Sequence, residues 1–418
     1  MFAVLQNRAY ALLWLSSLIS TLGDWLLLVA LPLAVLAFSG SALATGLTLL
    51  SATFPMVLFS PLAGVLVDRL DRRRLMVICD LSRAALLPGL LLVHDTQHLW
   101  IVYTVTFLMA MARQLFDPAA RAVLPLLVQQ TLLVRAGVLL SIAADAVRLI
   151  GPALGGLLYA ASGVQLVVWL DVLSFLFSAL LIAGMRMPPC DAARPVLREA
   201  EDWRLSWRQG WKLGWRRVKR SPTLRVLLLA DALSSVKQGS YNVLNVVFVV
   251  EVLHAGAIGR GLISSAQALG GLLGGLLVGY LAARWRTRWP IGLGLIGNGA
   301  CMLVLFALQS YPVTLALSAL CGLPVMVAGV MLTVTIQKTA PASVLGRVFG
   351  IFGGVGGLAL LLSEGAASVL GDHVSVVLLL SVGAGFELLA GVVVLTALKP
   401  QRTSRREAGG AISAGPGR

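Results

Sequence analysis

Long apolar segments separated by short polar breaks run through almost the whole chain of 418 residues. A helix needs roughly 20 apolar residues to cross a bilayer, and twelve segments reach that length. Glycine, serine, proline or charged residues mark the breaks, as at 39–41, 68–74 and 310–312. We therefore predict an all-α polytopic membrane protein with twelve transmembrane helices at 9–37, 43–67, 75–94, 99–119, 135–161, 165–185, 225–250, 258–282, 289–309, 313–336, 347–370 and 374–397.

Composition supports a membrane protein over a soluble one. Only 12% of the residues are charged and the mean hydropathy is +0.90, whereas a soluble protein of this size needs far more surface charge. The sequence contains no HExxH, GxSxG or nucleotide-binding loop, so we expect no enzyme activity and no cofactor. The four cysteines form no CxxC pair, so we expect no metal site and no disulfide framework.

The net charge of +15 lies mainly on one side of the predicted spans, which argues against nucleic acid as a partner. Of the 33 Lys and Arg residues, 28 fall on the side that carries both chain ends, and the opposite loops contain only Arg260. Positive loops stay in the cytoplasm. We therefore predict a multi-pass protein of a bacterial plasma membrane with both termini cytoplasmic, which requires an even number of spans.

A long basic loop divides the chain into two sets of six spans. We predict an N-terminal bundle at 1–185, a cytoplasmic linker at 186–224, a C-terminal bundle at 225–398 and a disordered tail at 399–418. In the linker, tryptophan recurs every four residues with a cation one residue after each. This spacing predicts an amphipathic helix lying on the cytoplasmic leaflet, since tryptophan prefers the headgroup region and cations pair with anionic lipid. The tryptophans are Trp203, Trp207, Trp211 and Trp215.

The two sets of spans resemble each other. A glycine followed by a basic cluster ends span 2 at Gly64 and recurs six spans later at Gly279, but Ala283 stands where the first copy has Asp68. This is the pattern of a duplicated six-helix unit. The segment 64–74 resembles the loop 2–3 signature of the major facilitator superfamily, from which it departs at Asp71. The stretches at 116–125 and 340–348 are similar to the branch that contains enterobactin exporters and macrolide efflux proteins.

The resemblance implies a fold of two pseudo-symmetric six-helix bundles and a conformational latch at the cytoplasmic end of span 2. A glycine in span 2 allows close packing against span 11, which has glycines at 346, 350 and 354, and an acid beside the N-terminus of that helix is stabilised by its dipole. A simple charged turn is the alternative. The latch residues are Gly64, Asp68, Arg69, Arg72 and Arg73.

Span 5 contains a glycine-proline stretch that resembles a motif of exporters in this superfamily. Proline removes a backbone hydrogen bond and glycine allows close helix approach, so the stretch predicts either a functional bend or a kinked packing helix. Its residues are Gly151, Pro152, Gly155 and Gly156.

Ionisable residues inside spans are costly and usually functional. Asp80 with Arg83, Arg113 with Asp117, and Asp145 with Arg148 are spaced to pair on one helix face, and the last pair lies near mid-depth. The ionisable residues of the spans that have no local partner are Asp24, Asp171, Asp231, Lys237, Glu364 and Glu387.

The family layout, in which spans 1, 4, 7 and 10 line the cavity with help from 2, 5, 8 and 11, places Asp171 and Glu387 outside it. An acid that couples transport to protons must bind and release a proton in the cavity. We predict Asp24 first for this role, with Glu364 and Asp145 as further candidates. An acid paired structurally with a neighbouring helix is the alternative for Asp24. The substrate or cavity candidates are Arg148, Lys237, Arg113 and Asp231.

The resulting hypothesis is a secondary transporter that exports hydrophobic drugs, a siderophore or another secreted metabolite by alternating access, powered by the proton gradient. Its expected partners are a small-molecule substrate, protons and membrane lipid, and we expect a monomer. An uptake symporter of the same fold and a lysophospholipid flippase are the alternatives.

Overall fold

The computed structural model describes residues 2–93, 95–185, 203–281, 288–341 and 344–398, without the side chains of 2–3, 60–69, 130–131, 134, 203–211 and 281. These residues form helices and no strand. The α-helices are α1 (Arg8–Ser39), α2 (Ala42–Arg69), α3 (Arg72–Leu86), α4 (Leu99–Leu127), α5 (Gln130–Ala183), α6 (Trp203–Arg220), α7 (Pro222–Val247), α8 (Gly256–Leu281), α9 (Arg288–Leu308), α10 (Tyr311–Thr339), α11 (Leu345–Leu370) and α12 (Val376–Ala397).

The described residues contain twelve spans, as the sequence predicts. Helix α5 holds two of them, because its backbone leaves the helical region at Gly163 with φ 68°; the segments on either side are spans 5 and 6. Ten of the described helices are long and apolar enough to cross a membrane. Helix α7 falls short of that limit because Arg225, Asp231 and Lys237 interrupt its apolar sequence.

Polar side chains fix where several helices begin. Asn7 caps α1 by accepting hydrogen bonds from Ala9 N and Tyr10 N, and Ser41 caps α2 through Ala44 N. Asp71 caps α3 by accepting from Arg74 N at 2.8 Å, a common N-cap role for aspartate. This capping bond is a physical reason for an acid at the position where the superfamily signature has glycine.

The spans pack as two sets with few helices bridging them. Helix α1 packs on α5, α3 on α4 and span 6, α8 on α10, and α12 on α7 and α9, while α2 with α11 and α5 with α8 join the sets. We call α1–α5 the N half and α7–α12 the C half. The basic face is the end of the bundle where α1 begins and α12 ends, and the opposite face is the other end.

The second half of the linker helix α6 packs against the C half. A Cβ on Gly214 would lie 2.9 Å from Ile351 Cδ1 and 3.1 Å from the backbone oxygen of Arg347, so α6 packs closely on α11. Trp215 packs against the core of the C half, and Arg217 donates a hydrogen bond to Thr339 O at the end of α10. This part of α6 therefore contacts protein, while the side chains of Trp203, Trp207 and Trp211 lie outside the described residues.

The two halves contact each other mainly near the opposite face. A Cβ on Gly156 would lie 2.3 Å from Ala257 O, and one on Gly46 would overlap Ser368. Nothing lies within 4 Å of the corresponding points on Gly346, Gly350 and Gly353. Helix α11 thus packs on the N half toward the opposite face and is open along these glycines near the basic face.

Asp372, just after α11, links the halves at the opposite face. Its carboxylate accepts hydrogen bonds from Ser41 Oγ at 2.6 Å, Ala42 N at 2.5 Å and Leu43 N at 3.3 Å. Free backbone N–H groups and the positive end of the dipole make a helix N-terminus a favourable site for a carboxylate. An acid of the C half therefore caps a helix of the N half.

Candidate functional site

A cavity of about 610 Å³ lies against α1, α2 and α4 in the N half. Its wall is largely apolar, with Trp25, Leu28, Met56 and Met109 among the lining residues. Its polar residues include Asp24, Arg83, Arg113, Gln114, Asp117 and Arg121. Because Arg121 lies near the basic-face end of α4, the cavity extends toward that face.

Asp24 lies in the wall of this cavity between two arginines from other helices. Its Oδ2 is 3.4 Å from Arg113 Nη1 of α4 and 3.9 Å from Arg83 Nη1 of α3. The Asp24 side chain is 18% exposed, whereas that of Arg113 is 48% exposed. The sequence shows no local partner for Asp24 because both of its partners are distant along the chain.

Arg83 is held in the interior by aromatic and acidic neighbours. Its guanidinium lies 4.2 Å from the Phe175 ring centre and 4.9 Å from that of Phe116, distances typical of cation–π contacts. Its Nη2 is 2.5 Å from Asp80 Oδ1, and Ser178 donates to Asp80 Oδ2 at 2.6 Å. The ion pair that the Asp80–Arg83 spacing predicts is confirmed.

The second predicted local pair also forms, while the third does not. Arg113 Nε lies 3.6 Å from Asp117 Oδ2, so Arg113 contacts acids of both α1 and its own helix. Among the described residues, no ion pair within 4.0 Å joins Asp145 to Arg148. These two side chains instead line a second cavity of about 590 Å³ with residues of α8 and α10, including Gln267, Thr333 and Gln337.

Asp171 of span 6, which the family layout places away from the cavity, is fully buried against α1. A Cβ on Gly23 would lie 2.1 Å from Asp171 Oδ1, so this carboxyl occupies the space that a side chain at position 23 would need. Ser174 donates to Asp171 Oδ1 at 3.1 Å, while Asp171 Oδ2 is buried without a hydrogen-bond partner among the described residues.

Glu364 is buried where α11 meets α2 and α7. Asn242 of α7 donates to Glu364 Oε1 at 2.9 Å, and Thr53 of α2 does so at 3.4 Å. Glu364 therefore joins both halves through hydrogen bonds without lining either cavity described above.

Lys237 and Asp231, predicted to face the cavity, line neither of the two cavities described above. Lys237 Nζ lies 3.8 Å from Glu387 Oε1 of α12, with both side chains buried, and Asn298 of α9 donates to Glu387 at 3.0 Å. Asp231 lies between α7 and α11, where its Oδ2 would be 2.9 Å from a Cβ on Gly356. Lys237 thus neutralises an acid of the C half interior, because the face of α7 that carries it packs on α12.

The predicted latch residues that the structure describes contact the N half. Arg72 donates to Ala122 O at 3.1 Å, and Arg73 donates to Ile182 O and Ala183 O. These carbonyls lie near the ends of α4 and span 6, where cations are favoured. The side chains of Asp68 and Arg69, and the surroundings of Gly64, lie outside the described residues.

The span 5 glycines allow close packing, and the helix continues through Pro152. Cβ atoms on Gly151 and Gly155 would lie 2.8 Å from Trp25 and 3.0 Å from the backbone of Leu26 in α1. The only residue with non-helical dihedral angles inside α5 is Gly163, so the helix does not break at Pro152. Gly261 of α8 approaches Pro152 O, which joins this stretch to the C half.

Arg260 is counted above with the loops of the opposite side, although the predicted span 258–282 already includes it, and the structure places it in a helix. Arg260 belongs to α8 and donates to Ser264 Oγ at 2.8 Å, while its Nε is buried without a partner among the described residues. The apolar sequence of α8 begins near this arginine, so the predicted span starts at 258, two residues after the observed helix start at Gly256.

Two packed helical halves around cavities that carry charged residues in largely apolar walls are the architecture of a polytopic membrane transporter. The chain belongs to the Major Facilitator Superfamily, whose model matches residues 13–363 and 227–415.

The chain resembles one relative and one solved structure over most of its length, and a second relative over less than half of it. It is 29% identical over 383 residues to the multidrug efflux pump Tap of Mycolicibacterium fortuitum, covering 87% of this chain and 90% of Tap. It is 29% identical over 178 residues to macrolide efflux protein A of Streptococcus pyogenes, covering 42% and 44% of the two chains. A bacterial homologue of the iron transporter ferroportin, solved in an inward-facing state, shares its fold with a TM-score of 0.74 at 18% identity, covering 93% of this chain and 98% of that one.

Proposed function

We propose that this protein exports hydrophobic small molecules across a bacterial plasma membrane in exchange for protons. The efflux relatives support export, and the placement of 28 of the 33 Lys and Arg residues supports cytoplasmic termini. With that orientation the basic face is cytoplasmic and the conformation described above is inward-facing. The protein acts as a monomer without a cofactor, and the proton gradient supplies the energy.

The position of Asp24 is the observation that carries the proton coupling. Its carboxylate lies in the cavity wall and contacts two guanidiniums, Arg113 at 3.4 Å and Arg83 at 3.9 Å. A proton that binds Asp24 removes the charge that holds both arginines, since an ion pair needs the ionised carboxylate. Arg113 is the mobile partner, because it is half exposed to the cavity and has Asp117 as an alternative acid.

The same contacts link protonation to cargo. The cavity is mostly apolar and carries two acids together with three arginines, which suits a hydrophobic molecule with a charged or hydrogen-bonding group. A cationic cargo competes with Arg113 for Asp24 and Asp117, so cargo and proton use the same carboxylates in turn. Asp145 and Arg148 in the second cavity offer polar groups of both signs for the remainder of the cargo.

Glu364 supports the change from inward to outward opening. Opening the opposite face separates Thr53 of the N half from Glu364 of the C half. Glu364 then loses a hydrogen-bond donor as water reaches it, which makes it the second acid able to exchange a proton with the outside.

Export and its coupling are tested first by finding a cargo and then by changing Asp24. A drug-susceptibility and metabolite-export profile of a deletion strain against an overexpressing strain identifies the cargo. That cargo is then used in everted vesicles with an imposed proton gradient. We expect Asp24→Asn to insert normally but to lose proton-driven accumulation. Asp231→Asn is the matched control, because Asp231 is an acid between α7 and α11 that lines neither of the two cavities, and it should retain accumulation.

Three results would contradict the proposal. Wild-type export rates in Asp24→Asn would remove Asp24 from the coupling. Accumulation only in right-side-out vesicles would indicate an uptake symporter. Lipid translocation in proteoliposomes, with no transport of the identified cargo, would indicate a flippase.

A further inference from the structure

The charged cluster of the N half contains more acids than cations. Arg83 and Arg113 are its two guanidiniums, and their contacts within 4.0 Å are with Asp24, Asp80 and Asp117. Asp117 is 46% exposed to the cavity, so water can stabilise its charge. Asp24 and Asp80 therefore account for the two cations, and Asp171 is left as a fully buried acid without an ion pair among the described residues.

The C half shows what an ionised acid at the corresponding place requires. Glu387 of span 12 is also buried, but it lies 3.8 Å from Lys237 and accepts a hydrogen bond from Asn298. Lys237 is fifteen residues after the first residue of α7, and Gly23 is fifteen residues after the first residue of α1. The N half thus has glycine where the C half has the lysine that neutralises its acid.

The atoms around Asp171 are arranged for a change of partner. Asp171 Oδ2 and Arg83 Nε are both buried and both lack a hydrogen-bond partner among the described residues, although one is an acceptor and the other a donor. Arg83 lies over Phe175, which is one helical turn after Asp171 on span 6. The charged groups that interact with Asp171 from the neighbouring helices are Asp24 of α1 and Arg83 of α3.

An isolated carboxylate in such a place is costly, and a buried acid without a partner is held neutral instead. We propose that Asp171 carries a proton in this conformation and exchanges it with Asp24, so that the coupling site is a pair of acids built across α1 and span 6. This inference deepens the proposed proton coupling and rests on it for its role in transport.

The exchange conserves charge and atoms. The proton leaves the Asp171 carboxyl and binds the Asp24 carboxylate, so Asp24 becomes neutral and releases Arg113 and Arg83. The Asp171 carboxylate that remains then accepts the unpaired Nε–H of Arg83. The reverse transfer restores the ion pairs of Asp24. Asp171 is therefore the inner member of the pair, and Asp24 is the member that meets the cavity.

Infrared spectroscopy reads this protonation directly and needs neither cargo nor transport. The purified full-length protein, labelled with ¹³C at its aspartate carboxyls, is titrated upward from neutral pH while the C=O stretching band of protonated carboxyl groups is recorded. We expect an isotope-shifted aspartate component in the wild type at neutral pH and its loss in Asp171→Asn. Glu387→Gln is the matched control and should leave the protonated-carboxyl band unchanged, since Glu387 is paired with Lys237.

The result can overturn the inference without affecting the proposed export. Absence of any protonated aspartate in the wild type, or the same aspartate band in Asp171→Asn, would show that Asp171 is ionised. If Asp171→Asn fails to insert, Ser174→Ala serves instead, because Ser174 donates to Asp171 Oδ1 and its loss must shift the frequency of that band. An unshifted band in Ser174→Ala would equally contradict the inference. Failure of proton-driven transport in vesicles with the band present would instead refute the proposed function.

Discussion

Asp372 joins the two halves at the opposite face, and replacing it by alanine tests whether this contact holds the structure closed there. The substitution removes three hydrogen bonds to α2, two of them from backbone N–H groups at the helix N-terminus. Loss of a helix cap costs about 0.5–2 kcal/mol, and hydrogen bonds to charged groups contribute about 1.5–3 kcal/mol when buried.

The contact is largely exposed, which reduces these values because water competes for the same groups. A net loss of about 1–2 kcal/mol remains, which corresponds to roughly a 5–30-fold change in a two-state equilibrium. Because the bonds exist only when the halves meet at the opposite face, the whole loss falls on this conformation. Asp372→Ala should therefore raise the ratio of open to closed molecules at this face by that factor.

Pulsed electron paramagnetic resonance measures the ratio through spin labels at two exposed positions of the opposite face. Gln97 of the N half and His373 of the C half are suitable, in a background without reactive native cysteines. The long-distance population should grow in Asp372→Ala. Glu251→Gln is the control, because Glu251 is an exposed acid at the same end that has no hydrogen bond or ion pair among the described residues. An unchanged distance distribution in Asp372→Ala, or an equal change in Glu251→Gln, would refute this account of the closed face.

Two further predictions follow from close packing and from a buried charge. Gly156→Leu places a side chain where a Cβ would be 2.3 Å from Ala257 O. The same spin-label pair should therefore report separated halves, and vesicle transport should fall. Gly137→Ala is the control and should have no effect, because a Cβ there meets nothing within 4 Å. Lys237→Met leaves Glu387 buried without its cation and should lower the free energy of unfolding by about 3–5 kcal/mol, seen as a lower midpoint of thermal unfolding in detergent. Adding Glu387→Gln should restore most of this stability. No recovery would show that the ion pair is not the cause.

Hydropathy and charge placement predict the architecture well because both depend on residue type and not on neighbours. The twelve spans follow from the need for roughly 20 apolar residues to cross a bilayer. Helix α7 is the informative exception. Asp231, Lys237 and several amides and hydroxyls lower its hydropathy, yet its position between two clear spans and the even span count still identify it.

The positions of the charged side chains are harder to predict, since nearly all faces of these helices are apolar. The pairs Asp80–Arg83 and Arg113–Asp117 follow from helical spacing, which is a local property. The partners of Asp24 and Lys237 come from other helices, so no local spacing indicates them. The family layout places Asp171 and Glu387 outside the cavity because spans 6 and 12 form the periphery of the fold, but a peripheral helix still turns one face inward.

The signal in the sequence that could have identified Asp171 is the glycine at position 23 of span 1. The position of Gly23 in span 1 corresponds to that of Lys237 in span 7. Lys237 pairs with Glu387 of span 12, whereas Gly23 lies beside Asp171 of span 6 and supplies no cation to it. Asp372 has no such signal. It acts on the N-terminus of a helix more than 300 residues away in sequence, and only the packed structure brings the two together.

The direction of proton movement during transport tests the central claim most directly. The purified protein is reconstituted into proteoliposomes with a pH-sensitive dye inside, and a gradient of the identified cargo is imposed without a pH gradient. Antiport predicts that protons move against the flow of cargo, and that Asp24→Asn abolishes this movement. Protons that accompany the cargo, or cargo flow without any change of internal pH, would contradict proton-coupled export.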